Sequence, residues 1–290
     1  MKRSIRIAMT SALVATAGVT GGSWWMGGRL TAAAHAAVPH PPDFAVEDVW
    51  IPQAGSGGLA GWWAPAGRKA PAVLLLHPFR GNRGSMVERA RLLRDRGFSV
   101  LLVDFQAHGE SPGETITLGI RESENVRSAL AWLRRRAPES RIGVVGVSLG
   151  GASVLLGPQP CGFDAVVLEE VYPDIRRAVV NRLRIRLGSL APAVAPLLLM
   201  QLKPRLGVGP EDLRPIDGIS RLGAPVLIVA GELDERTTPA ESEELYRAAD
   251  EPKSLWVVAG ARHENCLSKD PAGYQEHVIG FLLRHLAGHD

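Results

Sequence analysis

At 290 residues, with 46% hydrophobic and 22% charged residues, the chain is long enough for one large buried core and is not composed like a disordered segment. Its net charge of +3 belongs to the start of the chain: Lys2, Arg3, Arg6 and Arg29 meet no acidic residue before Asp43, and taking those four charges from the total leaves a slightly acidic body. The basic balance therefore belongs to the leader, and nucleic acid is not an expected partner.

Residues 1–36 read as an export signal or an N-terminal anchor. Lys2, Arg3 and Arg6 precede the small apolar stretch Ile7–Val19, and Ala34-His35-Ala36 offers a small-x-small cleavage site. Thr10, Ser11, Thr16, Thr20 and Ser23 leave Ile7–Met26 weakly apolar, whereas a membrane span wants roughly 20 strongly apolar residues. The expected location is periplasmic or secreted if the leader is removed, and membrane-bound if it is kept. Pro39, Pro41 and Pro42 make residues 37–45 a stiff spacer, with the folded domain expected over 46–290.

Within that domain, Val46–Ile51 and Leu59–Trp63 alternate around Gly55, Gly57 and Gly58 as in an antiparallel hairpin. Continuous apolar runs follow at Ala72–Leu76, Ser99–Val103, Ile142–Val147, Ala165–Leu168, Val226–Ala230 and Ser254–Val258. Such runs are what strands buried on both faces of a parallel sheet require. Helical patterns lie between and after them at Ser85–Arg96, Glu122–Arg136, Ala240–Ala249 and Gln275–Leu286. The alternation predicts an α/β fold with a doubly wound, mostly parallel sheet. Residues 172–222 are too long for a usual crossover and are expected as a helical lid insertion, basic first (Arg176, Arg177, Arg182, Arg184, Arg186) and then apolar over Ala191–Leu202.

Gly146-Val147-Ser148-Leu149-Gly150 is a G-x-S-x-G motif following one of those strands and opening a helix, the context in which a sharp turn lifts a serine hydroxyl above the sheet edge. A serine needs an adjacent base, and the base needs a carboxylate to hold its tautomer. His263 follows the run ending at Val258, and Asp234 follows the run ending at Ala230. Glu232 and Glu235 compete with Asp234, and Glu169 and Glu170 offer a second position for an acid. An oxyanion would be held by the backbone amides of Leu149 and of Phe79 in His77-Pro78-Phe79-Arg80-Gly81, with His77 read as a structural loop residue. Arg80 and Arg83 beside that loop are either solvated or available to an anionic substrate group. Cys161 and Cys266 are read as packed free thiols, their pairing left open. No His/Cys cluster has metal-ligand spacing, so neither metal nor cofactor is expected.

On these residues the chain resembles the α/β-hydrolase superfamily over about 46–288, and is most similar to single-domain bacterial members of the lysophospholipase, esterase and serine-aminopeptidase branches. The stretch Asp104-Phe105-Gln106-Ala107-His108-Gly109-Glu110-Ser111 resembles a family loop whose Asp, Gly and Ser have structural roles, and His77 to Ser85 resembles the family's oxyanion loop, with Pro78 where the family usually has Gly. Proline deletes its own N–H but not that of Phe79. The resemblance and the residues together predict a serine hydrolase acting on a small-molecule or lipid ester, with membrane association through the leader or the lid. Amidase, peptidase and thioesterase chemistry would use the same groups, and a non-catalytic binding module is the alternative from another class.

Overall fold

The apolar runs become strands because each offers β-branched and leucine side chains on both faces, and the helical patterns supply the layers that cover them. The structure, a computed structural model, describes residues 18, 20–53 and 57–287. A helix over residues 20–31 (α1) leads into the two-residue strand β1 (Ala34–His35), then β2 (Glu47–Ile51), β3 (Leu59–Ala64) and β4 (Ala72–Leu76). Next come α2 (Val87–Asp95), β5 (Ser99–Val103), the short β6 (His108–Gly109), α3 (Ile120–Arg136), β7 (Ile142–Val147), α4 (Leu149–Leu156) and β8 (Ala165–Glu169). The insertion holds α5 (Ile175–Leu187), α6 (Ala191–Leu199), α7 (Leu202–Leu206) and α8 (Ile216–Ile219). The chain continues through β9 (Val226–Gly231), α9 (Pro239–Ala248), β10 (Lys253–Val258), α10 (Cys266–Lys269), α11 (Pro271–Tyr274) and α12 (Gly280–Leu286).

Eight strands form one sheet in the order β10-β9-β8-β7-β4-β5-β3-β2. All pairs from β10 to β5 are parallel, while β3 runs antiparallel to both β5 and β2. The central strands β4, β5 and β7 are buried throughout, and one apolar cluster packs on each face of the sheet. Each fully buried leucine of Leu74-Leu75-Leu76 contributes about 1.5–3 kcal/mol relative to exposure.

Local signals set the helix ends. Asp174 caps α5 by accepting from the Arg177 amide at 3.0 Å. Thr238 and Glu241 form a capping box on α9, with Pro239 in its first turn. The last predicted helix is interrupted: Gln275–Ile279 is a π turn ahead of α12. It follows Tyr274, whose hydroxyl donates to Glu169 in the core.

The chain ahead of residue 46 pairs with the folded body. Ala34 and His35 pair in parallel with His108 and Gly109, and Ala32 bridges Thr115. The Ala34 amide donates to Ala107 at 2.8 Å and the Ala36 amide to Gly109 at 3.0 Å. The Ala-rich strip has no bulk to hold it off the loop, so its amides reach these carbonyls directly. The basic start of the leader, Lys2, Arg3 and Arg6, and the hairpin glycine Gly55 lie outside the described residues.

Candidate active site

The turn between β7 and α4 carries Ser148 at φ 50°, ψ −109°, a conformation costly for a residue with a Cβ. The flanking glycines make that turn possible. A Cβ on Gly146 would stand 2.5 Å from the Gly151 nitrogen, and one on Gly150 would stand 2.8 Å from the Leu76 carbonyl carbon. The Ser148 amide donates to the Glu169 carbonyl at 2.8 Å, fixing the turn to β8. Of six non-glycine residues with positive φ among the described residues, Ser148, Glu170 and Glu264 lie around this point and Arg80 lies in the adjoining loop.

Asp234 and His263 arrive from the ends of β9 and β10. His263 Nδ1 lies 2.7 Å from Asp234 Oδ2, and its Nε2 lies 3.2 Å from Ser148 Oγ. The other Asp234 oxygen accepts from the amides of Arg236 (2.7 Å) and Thr237 (3.0 Å). All three side chains are nearly inaccessible to solvent. A carboxylate accepting at Nδ1 requires a proton there, so Nε2 presents its lone pair to the serine hydroxyl.

The loop carrying Phe79 is shaped by two histidines. His77 Nδ1 bonds the Pro78 carbonyl at 2.8 Å, and its Nε2 accepts from the Phe105 amide at 3.1 Å. Burial, with His108 close by, lowers its pKa to about 3, so the ring is neutral in the tautomer those bonds need. His108 Nε2 accepts from the Arg80 amide at 3.3 Å. His77 is thus structural, as its sequence context suggests. Phe79 and Leu149 line the same cavity as Ser148. Leu149 opens α4, where a first-turn amide has no intrahelical acceptor.

That cavity, open to solvent, runs between Ser148 and the helices α5, α6 and α7, with Leu30 and Thr31 of α1 in its wall. Its lining is apolar except for a few groups, chiefly Arg182 and Arg205; no carboxylate lines it among the described residues. Sequence periodicity does not show that α1 belongs to this wall, because the contact is made across 178 positions, from Ser23 to Gln201.

Other charges find partners that spacing alone hides. Arg83 is buried and pairs with Asp104 and Glu110, so it is neither solvated nor free for substrate. Asp104 also accepts from the Arg83 and Glu110 amides, and Ser111 Oγ donates to its carbonyl at 2.7 Å, giving this loop the structural role its resemblance implies. Arg80 donates to the carbonyls of Arg29 and Ala32. Glu169 is taken by Arg89 and Tyr274 and does not face His263.

Glu170 lies nearer. Its carboxylate accepts from the Glu264 amide and from Cys266 Sγ at 3.1 Å, and it can bring a ligand atom within 4.8 Å of Asp234 and His263. Both ring nitrogens of His263 are already committed to Asp234 and Ser148, which leaves this trio no spare imidazole donor for a metal. Cys161 and Cys266 are both free thiols, and burial, together with Glu170, pushes the Cys266 pKa well up, as for an inert packed cysteine.

Burial pushes Glu170 up to about 8 from an ordinary 4.5, with the nearby Asp234 and Glu169 acting in the same direction. A folded-state value above the unfolded one gives a contribution that is complete below about pH 4.5 and is lost as pH rises through about 8. Glu170→Gln, which cannot ionise, is therefore expected to gain stability over wild type across that window. Urea midpoints of both proteins at several pH values check this; parallel curves would remove the assignment.

Comparisons with known proteins place these features. A family model described as X-Pro dipeptidyl-peptidase (S15 family) matches residues 48–183. An uncharacterised protein of Mycobacterium tuberculosis (strain H37Rv) is 31% identical over 214 residues, covering 71% of this chain and 68% of that one. The human protein ABHD12B is 26% identical over 226 residues, covering 72% of this chain and 60% of its own. Among solved structures, the Pyrococcus furiosus esterase Pf2001 superposes with a TM-score of 0.75 at 22% identity, covering 89% of this chain and 99% of that one. The chain belongs to the α/β-hydrolase superfamily. As an α/β-hydrolase with a serine at its strand-to-helix turn, it is a serine hydrolase.

Proposed function

We propose that this α/β-hydrolase cleaves carboxylic esters by acyl transfer through a triad of Ser148, His263 and Asp234. The observation that carries the reading is the unbroken chain of hydrogen bonds from Asp234 through His263 to Ser148 Oγ, at the inner end of an apolar cavity. In the first half-reaction Ser148 Oγ attacks the ester carbonyl while His263 Nε2 takes its proton. The amides of Phe79 and Leu149 stabilise the oxyanion that forms. Collapse of the tetrahedral intermediate breaks the bond to the alcohol, which leaves with the proton from His263. Water then adds to the acyl-enzyme by the same route, giving the acid and restoring Ser148. Asp234 holds the imidazole tautomer and stabilises its cation without itself taking the proton.

The lining favours an apolar acyl group over a peptide with a free amino terminus. An exopeptidase that holds an α-ammonium needs a carboxylate to pair with it, and the charged groups lining this cavity among the described residues are the arginines Arg182 and Arg205. Turnover of p-nitrophenyl esters of increasing acyl length, beside p-nitroanilides of the same acids and of aminoacyl-proline, tests the reading. Esters are expected to react, with medium chains preferred over acetate. Cleavage of the anilides without the esters would replace the ester reading with a peptidase or amidase.

A further inference from the structure

The helical layer over the cavity carries apolar surface that no part of the described chain covers. Of eleven large hydrophobic side chains exposed among the described residues, eight lie on α1 and the Ile175–Leu206 stretch, including Trp24, Trp25, Leu30, Ile185, Leu190 and Met200. Trp25 and Met200 are each 67% exposed. α6 shows the imbalance most clearly. Its inner positions Ala191, Ala195, Leu198 and Leu199 are buried, yet its outer positions Pro192, Ala193 and Pro196 are apolar too. A surface helix in water normally turns a polar face outward.

Charge accompanies the apolar surface. No Asp or Glu occurs in residues 1–42 or in 175–210, while 175–206 holds seven Lys or Arg. Arg184 and Arg186 at the end of α5 and Lys203 in α7 are exposed, and none has an acidic partner within ion-pair distance among the described residues. The two helical pieces are joined: Gln201 Nε2 donates to the Ser23 carbonyl at 2.9 Å, and the Arg205 guanidinium lies 4.0 Å from the Trp24 ring centroid. Gly27 and Gly28 allow the approach, since a Cβ on Gly28 would already stand 3.3 Å from Arg205.

We propose that the face formed by α1 and the helices α5 to α7 is a docking surface for an anionic lipid bilayer. Tryptophan and leucine side chains enter the headgroup–acyl boundary, and the arginines and lysine meet lipid phosphates. The chain lies on the bilayer here rather than crossing it. The Ile175–Leu206 stretch is apolar enough to cross, but Ile175, Ala178, Asn181 and Leu202 are buried against the body, and Gly188 at φ 55° breaks its axis. Leu30 both lines the Ser148 cavity and is 41% exposed, so the cavity mouth reaches the docked face. The inference concerns binding and does not rest on the ester reading.

The test uses the full chain with vesicles of phosphatidylcholine alone or with phosphatidylglycerol added. Co-sedimentation is expected to increase with phosphatidylglycerol, and Arg184→Glu/Arg186→Glu/Lys203→Glu is expected to lower that anionic-lipid binding by at least about tenfold at low salt. Fluorophosphonate labelling of the triple variant is expected to stay unchanged, since these side chains line no part of the cavity. A polarity-sensitive fluorophore on Met200→Cys, in a Cys161→Ser background, reads the face directly and is expected to shift to the blue on anionic vesicles. Binding that is indifferent to both phosphatidylglycerol and the charge reversals, or an unshifted fluorophore on bound protein, would overturn the proposal.

Discussion

Ser148→Ala is expected to lower ester turnover by about 10⁴-fold or more and to abolish labelling by a fluorophosphonate probe. The size of the effect follows from what the hydroxyl alone supplies. Its oxygen stands 3.2 Å from His263 Nε2, and the ring is oriented from behind by Asp234 at 2.7 Å. Removing the oxygen leaves a base with nothing to deprotonate, and the residual rate comes from the oxyanion donors acting on water. His263→Ala should cost nearly as much, and the double variant little more than either single one, because the groups act as a unit. Costs that add independently would mean that Ser148 and His263 do not act as one catalytic unit, and a wild type that is folded yet unlabelled would instead indicate a binding module. The substitution is expected to leave the fold intact, since Ser148 loses one buried hydroxyl and relieves no packing.

The strands were legible in the sequence because the sheet is buried on both faces, so its order of residues carries an unbroken apolar signal. Ala72–Leu76, Ser99–Val103 and Ile142–Val147 are strands over the same residues that the apolar runs mark. The relation of Ser148, Asp234 and His263 was legible too, since each follows one of those runs and a parallel sheet brings all such ends to one edge. What stayed hidden depends on contacts between distant segments. Nothing local to Arg83 shows that it will be buried against Asp104, and nothing local to residues 32–36 shows that they will pair with the segment around His108. Gly27, Leu30 and Thr31 line the cavity through contacts with distant helices that their own small, apolar surroundings do not announce. Glu170 was visible only as one of two acids after a strand, and the backbone at φ 55° decides that its carboxylate turns to the Glu264 and Cys266 loop while Glu169 points into the core.

Glu169 marks where the largest loss of stability is expected. Its carboxylate is wholly buried and accepts three hydrogen bonds from Arg89, including 2.6 Å from Nη2, and one from the Tyr274 hydroxyl. Burial works against the Arg89 charge, but the adjacent Glu169 holds the guanidinium above its ordinary pKa, so the cation persists inside the protein. Glu169→Ala therefore leaves a buried, unpaired cation rather than a simple cavity, at a cost of about 3–5 kcal/mol. Replacing both partners by apolar residues of similar volume, Arg89→Met with Glu169→Leu, removes the charges together and is expected to recover part of that loss, the buried Tyr274 hydroxyl being left without its acceptor. Denaturant midpoints of the two single variants and the double variant, at constant slope, measure the coupling. Single variants within about 0.5 kcal/mol of wild type would mean that the pair is solvated in the folded protein. In that case β8 would be held in register by its backbone ladder alone, and the position of Glu170 beside His263 would no longer depend on Arg89.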